Sequence, residues 1–126
     1  MKLLLDSHVI LWWLAKPGTL KKDALATLES SESELFVSAA TWWELGIKRA
    51  LKRLRFDTDA LAKLLDRANA TRLHISFAHA EDAANLPLHH ADPFDRMLAA
   101  QTLAEGLVLM TRDRVFEAYN IPIFAA

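Results

Sequence analysis

Four acids sit where chemistry can gather. Asp6 ends the apolar run Leu3-Leu4-Leu5, and Glu44 follows Trp42-Trp43. Asp95 closes Asp92-Pro93-Phe94-Asp95, and Asp113 follows the segment Leu107 to Arg112. Two come just after strand-like segments and two lie on helix-like ones. In an open parallel sheet such positions converge at the carboxyl ends of the strands, where ligands bind. Carboxylates gathered there repel one another unless a cation joins them or some take up protons. Mg²⁺ or Mn²⁺, hard ions that prefer oxygen ligands, meet that need. A pair of such ions can activate water and neutralise the anionic transition state of phosphodiester hydrolysis. That chemistry requires no side-chain nucleophile. The chain has no cysteine, no Gly-x-Ser-x-Gly elbow and no glycine-rich phosphate loop, its only glycines being Gly18, Gly46 and Gly106.

The elements that must position these acids can be read from periodicity. Strands are expected over Lys2 to Leu5, Leu35 to Ser38, Leu73 to Ile75, Leu107 to Met110 and Ile121 to Phe124, the last an edge strand because of Pro122. Helices are expected over His8 to Ala15, Leu20 to Ser30, Thr41 to about Leu51, Thr58 to Ala70, Ala78 to Leu86 and Pro93 to Glu105. Thr41 and Glu44 have the spacing of a capping box. Asp92 reads as an N-cap with Pro93 at the first helical position, and Gly106 as the residue that ends that helix. Strands alternating with helices predict an α/β/α domain over residues 1–126, with a parallel sheet of about four to five short strands. No repeat, low-complexity segment or linker interrupts it.

Composition excludes several classes. Apolar residues make up 52 % of the 126, too many for a disordered chain. The lack of cysteine rules out a disulfide framework and agrees with a reducing cytosol. The apolar start is broken by Asp6 and His8 with no small-residue cleavage site, so a signal peptide is not expected. No apolar run reaches membrane-spanning length. A net charge of −1 is too low for a protein that simply coats nucleic acid. Yet Lys48, Arg49, Lys52, Arg53 and Arg55 form a basic run, and Arg96, Arg112 and Arg114 lie beside the acids, so a local phosphate track is compatible with that total.

Each acid also has an ordinary structural role open to it. Asp6 suits a turn or helix cap, Glu44 the capping box, Asp92 a cap, Asp95 the first helical turn and Asp113 a turn. Those roles do not explain why four of them fall on one rim of the expected sheet. The histidines fit structural duties. His8, His74 and His79 are scattered, and His89-His90 lie in the loop before the acidic helix, where they shape the loop or touch substrate. Helix His8 to Ala15, with Trp12 and Trp13, is too apolar for a helix with a single buried stripe. It either lies deep in the core or has one side at an interface.

The segment from His90 to Gln101, His-Ala-Asp-Pro-Phe-Asp-Arg-Met-Leu-Ala-Ala-Gln, resembles the signature of PIN-domain ribonucleases, in particular VapC-like toxins of toxin–antitoxin pairs. Leu4-Leu5-Asp6-Ser7-His8, the segment from Ser38 to Leu45 and Leu109-Met110-Thr111-Arg112-Asp113 resemble the family's other motifs, in the family's order. The resemblance implies a single PIN domain over residues 1–126 and a Mg²⁺- or Mn²⁺-dependent endoribonuclease. It implies that Asp6, Glu44, Asp95 and Asp113 are the metal-binding, catalytic acids. It makes Asp92 either a cap or an outer ligand, and Thr111 the small hydroxyl residue near the fourth acid. Arg96 and Arg112 are candidates for contact with phosphate. It further implies an RNA substrate, a VapB-like antitoxin, a homodimer, a cytoplasmic location and no membrane association. The alternatives are a catalytically silent RNA- or protein-binding module of the same fold, and a nuclease acting on DNA.

Overall fold

The structure is a computed structural model that describes all residues from Met1 to Ala126. Five parallel strands form one sheet in the order β3-β2-β1-β4-β5, with β1 at Lys2–Leu5, β2 at Glu34–Ser38, β3 at Thr71–Leu73, β4 at Val108–Thr111 and β5 at Ile123–Ala125. Leu3 of β1 pairs with Leu35 on one side and Val108 on the other. This central strand is covered on both faces, which is why it reads as an unbroken apolar run. Leu3 and Leu5 point into a core shared with Val9, Ile10, Leu45 and Leu61, while Leu4 points into a second core with Leu98, Leu109 and Phe116. The period of two residues thus divides one tetrad between two layers.

Helices α1 (Ser7–Ala15), α2 (Lys22–Glu29), α3 (Ala39–Ala50), α4 (Thr58–Arg67), α5 (Phe77–Asn85) and α6 (Pro93–Ala104) connect the strands. Three of them end in the same left-handed device. After α3, α4 and α6 the chain turns through Lys52, Asn69 and Gly106, all with positive φ. The next residue then donates back into the last turn, as Arg53 does to Lys48 O, Ala70 to Leu65 O and Leu107 to Thr102 O. These are Schellman closures, and Gly106 was the one the sequence marked.

Several boundaries differ from expectation, among them β5, which was expected at Ile121 to Phe124, and two of the differences have a visible cause. Helix α3 begins at Ala39, because the Ser38 hydroxyl at the end of β2 accepts the Ala40 N–H at 3.0 Å. Thr41 therefore lies inside the helix, buried, with its hydroxyl unpaired, and no capping box with Glu44 forms. Strand β3 falls at Thr71–Leu73 rather than Leu73 to Ile75, since its register pairs Phe36 with Thr71 and Ser38 with Leu73. It is a largely exposed edge, so apolar character does not mark it.

Arg96 ties the second layer together. Leu86 precedes a proline, so no backbone N–H is shown closing the end of α5. The Arg96 guanidinium, from α6, takes that role. It donates to the carbonyls of Ala83 and Leu86, both at 2.9 Å, of Ala84 at 3.4 Å, and of Pro87 and His90 at 3.0 and 3.3 Å. Arg96→Ala should lower stability by about 3 kcal/mol by leaving buried carbonyls unpaired. Arg96→Lys should recover only part, because an ammonium cannot span that fork of acceptors. Denaturant unfolding of the three proteins checks both expectations.

Candidate metal centre

Asp6 stands where β1 leaves the sheet. Its backbone N–H continues the ladder to Met110 O at 3.1 Å, and its Oδ1 accepts the Ser7 N–H at 2.7 Å, capping α1. The other oxygen, Oδ2, accepts the Thr111 hydroxyl at 2.7 Å. The Thr111 oxygen in turn accepts the Asp113 N–H at 3.0 Å. Adjacent parallel strands β1 and β4 therefore place Asp6 and Thr111 side by side at the carboxyl rim, both buried.

Asp95 is in the first turn of α6. Asp92 caps that helix, its Oδ1 accepting the N–H groups of Phe94 at 2.8 Å and Asp95 at 3.2 Å. His90 Nε2 lies 2.7 Å from Asp95 Oδ2. His90, Asp92 and Asp95 together bring one potential ligand atom each within 4.8 Å of one another. Burial pushes the Asp95 carboxyl up to about 6, the negative charges of Asp92 and Asp6 push the same way, and the His90 hydrogen bond opposes them. Negative charge is thus concentrated where α6 meets β1.

Glu44 and Asp113 are less tightly drawn in. Glu44 is buried on α3, and its Oε2 lies 3.2 Å from Lys48 Nζ one helical turn on. Asp113 is exposed, and its Oδ1 accepts the Val115 N–H at 3.0 Å to cap a short helical turn over Arg114–Tyr119. The trio around Asp95 is the compact ligand group, and Asp6, Glu44 and Asp113 stand outside it. All the acids offer carboxylate oxygens, the donor set of a hard divalent cation. Burial first, and the charges of Asp92 and Asp6 after it, disfavour the ionised Asp95 carboxyl, a cost that a bound cation would relieve.

The arginines do not take the expected place beside a phosphate. Arg96 is 9 % exposed and engaged with five backbone carbonyls. Arg112 donates to the carbonyls of Thr19 and Ala126, with its guanidinium 4.3 Å over the Trp12 ring. Both groups brace the fold. His90 is the residue whose part at the site sequence reasoning left open, since only the loop's closure over α6 brings it to Asp95. His79 is structural. It is buried, forms a capping box with Ser76 and lies 2.7 Å from Glu105. A cavity of about 180 Å³ between Trp42, Leu65 and Leu73 is lined by none of the four acids.

Two measurements separate the roles of the neighbouring acids. Asp92→Ala should cost about 1 kcal/mol through loss of the cap. For Asp95 the sign follows from its raised folded value. In metal-free protein the unfolded chain loses the Asp95 proton near pH 4, and the folded chain holds it to about 6. Stability should therefore fall as pH rises from about 4 to 6 and level off above. Asp95→Asn should remove that part of the slope. An unchanged slope in chelator-treated Asp95→Asn would contradict the crowding.

Comparisons with known proteins place the chain in a family. Residues 3–122 match the PIN domain family model. Ribonuclease VapC22 of Mycobacterium tuberculosis is 34 % identical over 121 residues, covering 94 % of this chain and 92 % of that protein. A chain in the crystal structure of VapBC2 from Rickettsia felis, bound to a DNA fragment from their promoter, superimposes with a TM-score of 0.74 at 15 % identity, covering 99 % and 98 % of the two chains. One in FitAcB from Neisseria gonorrhoeae gives 0.66 at 22 %, covering 97 % and 96 %. The two structures share the fold, and the sequence relative carries the kinship further. With the family model matching nearly the whole chain and a relative 34 % identical over most of its length, the protein belongs to the PIN-domain family.

Proposed function

We propose that this chain is a divalent-metal-dependent endoribonuclease, the toxin of a toxin–antitoxin pair. The observation that carries the reading is the grouping of His90, Asp92 and Asp95, with potential ligand atoms within 4.8 Å of one another, at the rim where Asp6 leaves β1. The VapC22 relative, itself a ribonuclease, supplies the activity. Asp6, Glu44, Asp95 and Asp113 would hold Mg²⁺ or Mn²⁺, with Asp92 beside them. Such ions supply an activated water and charge neutralisation at the phosphodiester.

The chain's own residues do the positioning. Thr111 fixes the rotation of the Asp6 carboxylate and so couples the ends of β1 and β4, and its oxygen accepts the Asp113 N–H. His90 holds one oxygen of Asp95. Lys48 balances Glu44 until a cation arrives. Arg96 keeps the loop that carries His90 in register with α6.

The same reading makes the protein cytoplasmic and dimeric, with a VapB-like antitoxin presenting Arg or Lys to the acids. No helix is long and apolar enough to cross a membrane. Helix α1 supports an interface, because only Ser7, Val9 and Ile10 are buried while Leu11, Trp12, Trp13 and Leu14 are half-buried.

Incubation with single-stranded RNA, and with DNA of the same sequence, tests the reading. RNA should be cut internally in Mg²⁺ or Mn²⁺ and left intact in chelator. Asp6→Asn should lower the rate by at least about a hundredfold with the fold preserved, the range expected when one charge-stabilising group is lost. Equal cleavage by wild type and Asp6→Asn would refute the assignment. RNA binding without cleavage at any metal concentration would favour a silent binding module.

A further inference from the structure

Trp43 is 64 % exposed, although it stands directly beside the buried Glu44 on α3. The two side chains lie about 100° apart around the helix. One turn of α3 therefore sends a carboxylate inward and an indole outward. Helix α6 also sets an aromatic beside an acid, Phe94 directly before Asp95, both half-buried. The rings of Trp43 and Phe94 meet edge to face, their centroids 5.3 Å apart and their planes at 71°. Such a contact fixes the ring planes. Phe94 is half-buried and so serves as the support. It hides little of the indole, which keeps most of its surface in solvent at the mouth of the acidic rim.

The charge around it says what would bind. Lys48 and Arg49 lie further along α3, and Lys52, Arg53 and Arg55 continue past its end. Of these five, only Lys48 is in an ion pair. Arg49 donates to the Thr58 hydroxyl and lies over the Phe56 ring, which leaves Lys52, Arg53 and Arg55 as the cations in no such contact. Exposed aromatic surface with cations near it is how proteins hold single-stranded polynucleotide, with bases on the aromatic face and phosphates on the cations.

We propose that the Trp43–Phe94 pair is a stacking platform for one unpaired nucleobase, adjacent to the phosphodiester presented to the acids. This rests on the ribonuclease reading above, and it adds where the substrate is gripped. Stacking uses the π-face that every base has, so the platform places the strand without choosing its sequence.

The test uses the full chain carrying Asp95→Asn, so that cleavage does not intervene. Anisotropy of a labelled single-stranded oligoribonucleotide gives the affinity. Trp43→Leu, which keeps apolar bulk against Phe94, should weaken binding about tenfold, and Trp43→Phe should keep most of it. Oligonucleotides with one abasic position at successive sites should reveal a site at which Trp43→Leu costs nothing further. Equal affinity of parent, Trp43→Leu and Trp43→Phe overturns the proposal. So does a Trp43→Leu loss that is the same whichever base is missing. If RNA affinity is unchanged while Trp43→Leu loses a coexpressed antitoxin, the pair belongs to a protein partner and the proposal is wrong. If the wild type neither binds nor cuts RNA, the ribonuclease reading fails first and the platform falls with it. Cleavage by the wild type together with a silent Trp43→Leu removes the platform alone.

Discussion

Like charge held at a half-buried rim is the constraint around which this molecule is organised. Asp6, Asp92 and Asp95 are near enough for the first two to disfavour ionisation of the third. In water such crowding would be screened, but here burial adds to it. The neighbouring residues read as devices that make the crowding tolerable. Asp6 gives one oxygen to a helix N-terminus and the other to Thr111. Asp92 gives an oxygen to two N–H groups at the start of α6. Asp95 meets His90, and Glu44 meets Lys48. Each partner is a donor, and each contact is one that a cation could share or replace.

The scaffold explains why the acids cannot simply move apart. Strand β1 is buried on both faces and paired on both edges, so Asp6 leaves it at a fixed point. Helix α6 is held by a buried face that includes Leu98, Ala99 and Gln101, and by Arg96, which clamps the end of α5 and the following loop. A rigid frame that imposes repulsion at one place gives preorganisation for a cation and instability without one. Trp43 stays exposed on the same helix that carries the buried Glu44.

Much of this was legible in the residues. The strand tetrad, the Asp92-Pro93 helix start and the Gly106 stop are local signals with a local cause, and the structure keeps them. The order of strands and helices implied the parallel sheet, while the contact between Asp6 and Thr111 emerged only from the structure. What was not legible depended on tertiary contacts. Ser38 displaced Thr41 as the cap because β2 runs straight into α3, a fact of strand length that periodicity does not resolve. Strand β3 was misplaced by two residues since an exposed edge need not be apolar. Arg96 and Arg112 looked like phosphate ligands from their neighbours in sequence, yet their donors meet carbonyls of other segments. His90 reaches Asp95 only because Arg96 holds the loop that carries it.

The most direct measurement is a calorimetric titration of Mn²⁺ into the metal-free protein at pH 6, in two buffers of different ionisation enthalpy. A carboxyl raised to about 6 is half-protonated there, so binding should release about half a proton. The release should vanish near pH 8, and Asp95→Asn should lose both the release and most of the affinity. Tight binding by Asp95→Asn, or binding by the wild type with no proton released at pH 6, would contradict a metal centre built on the crowded carboxylates.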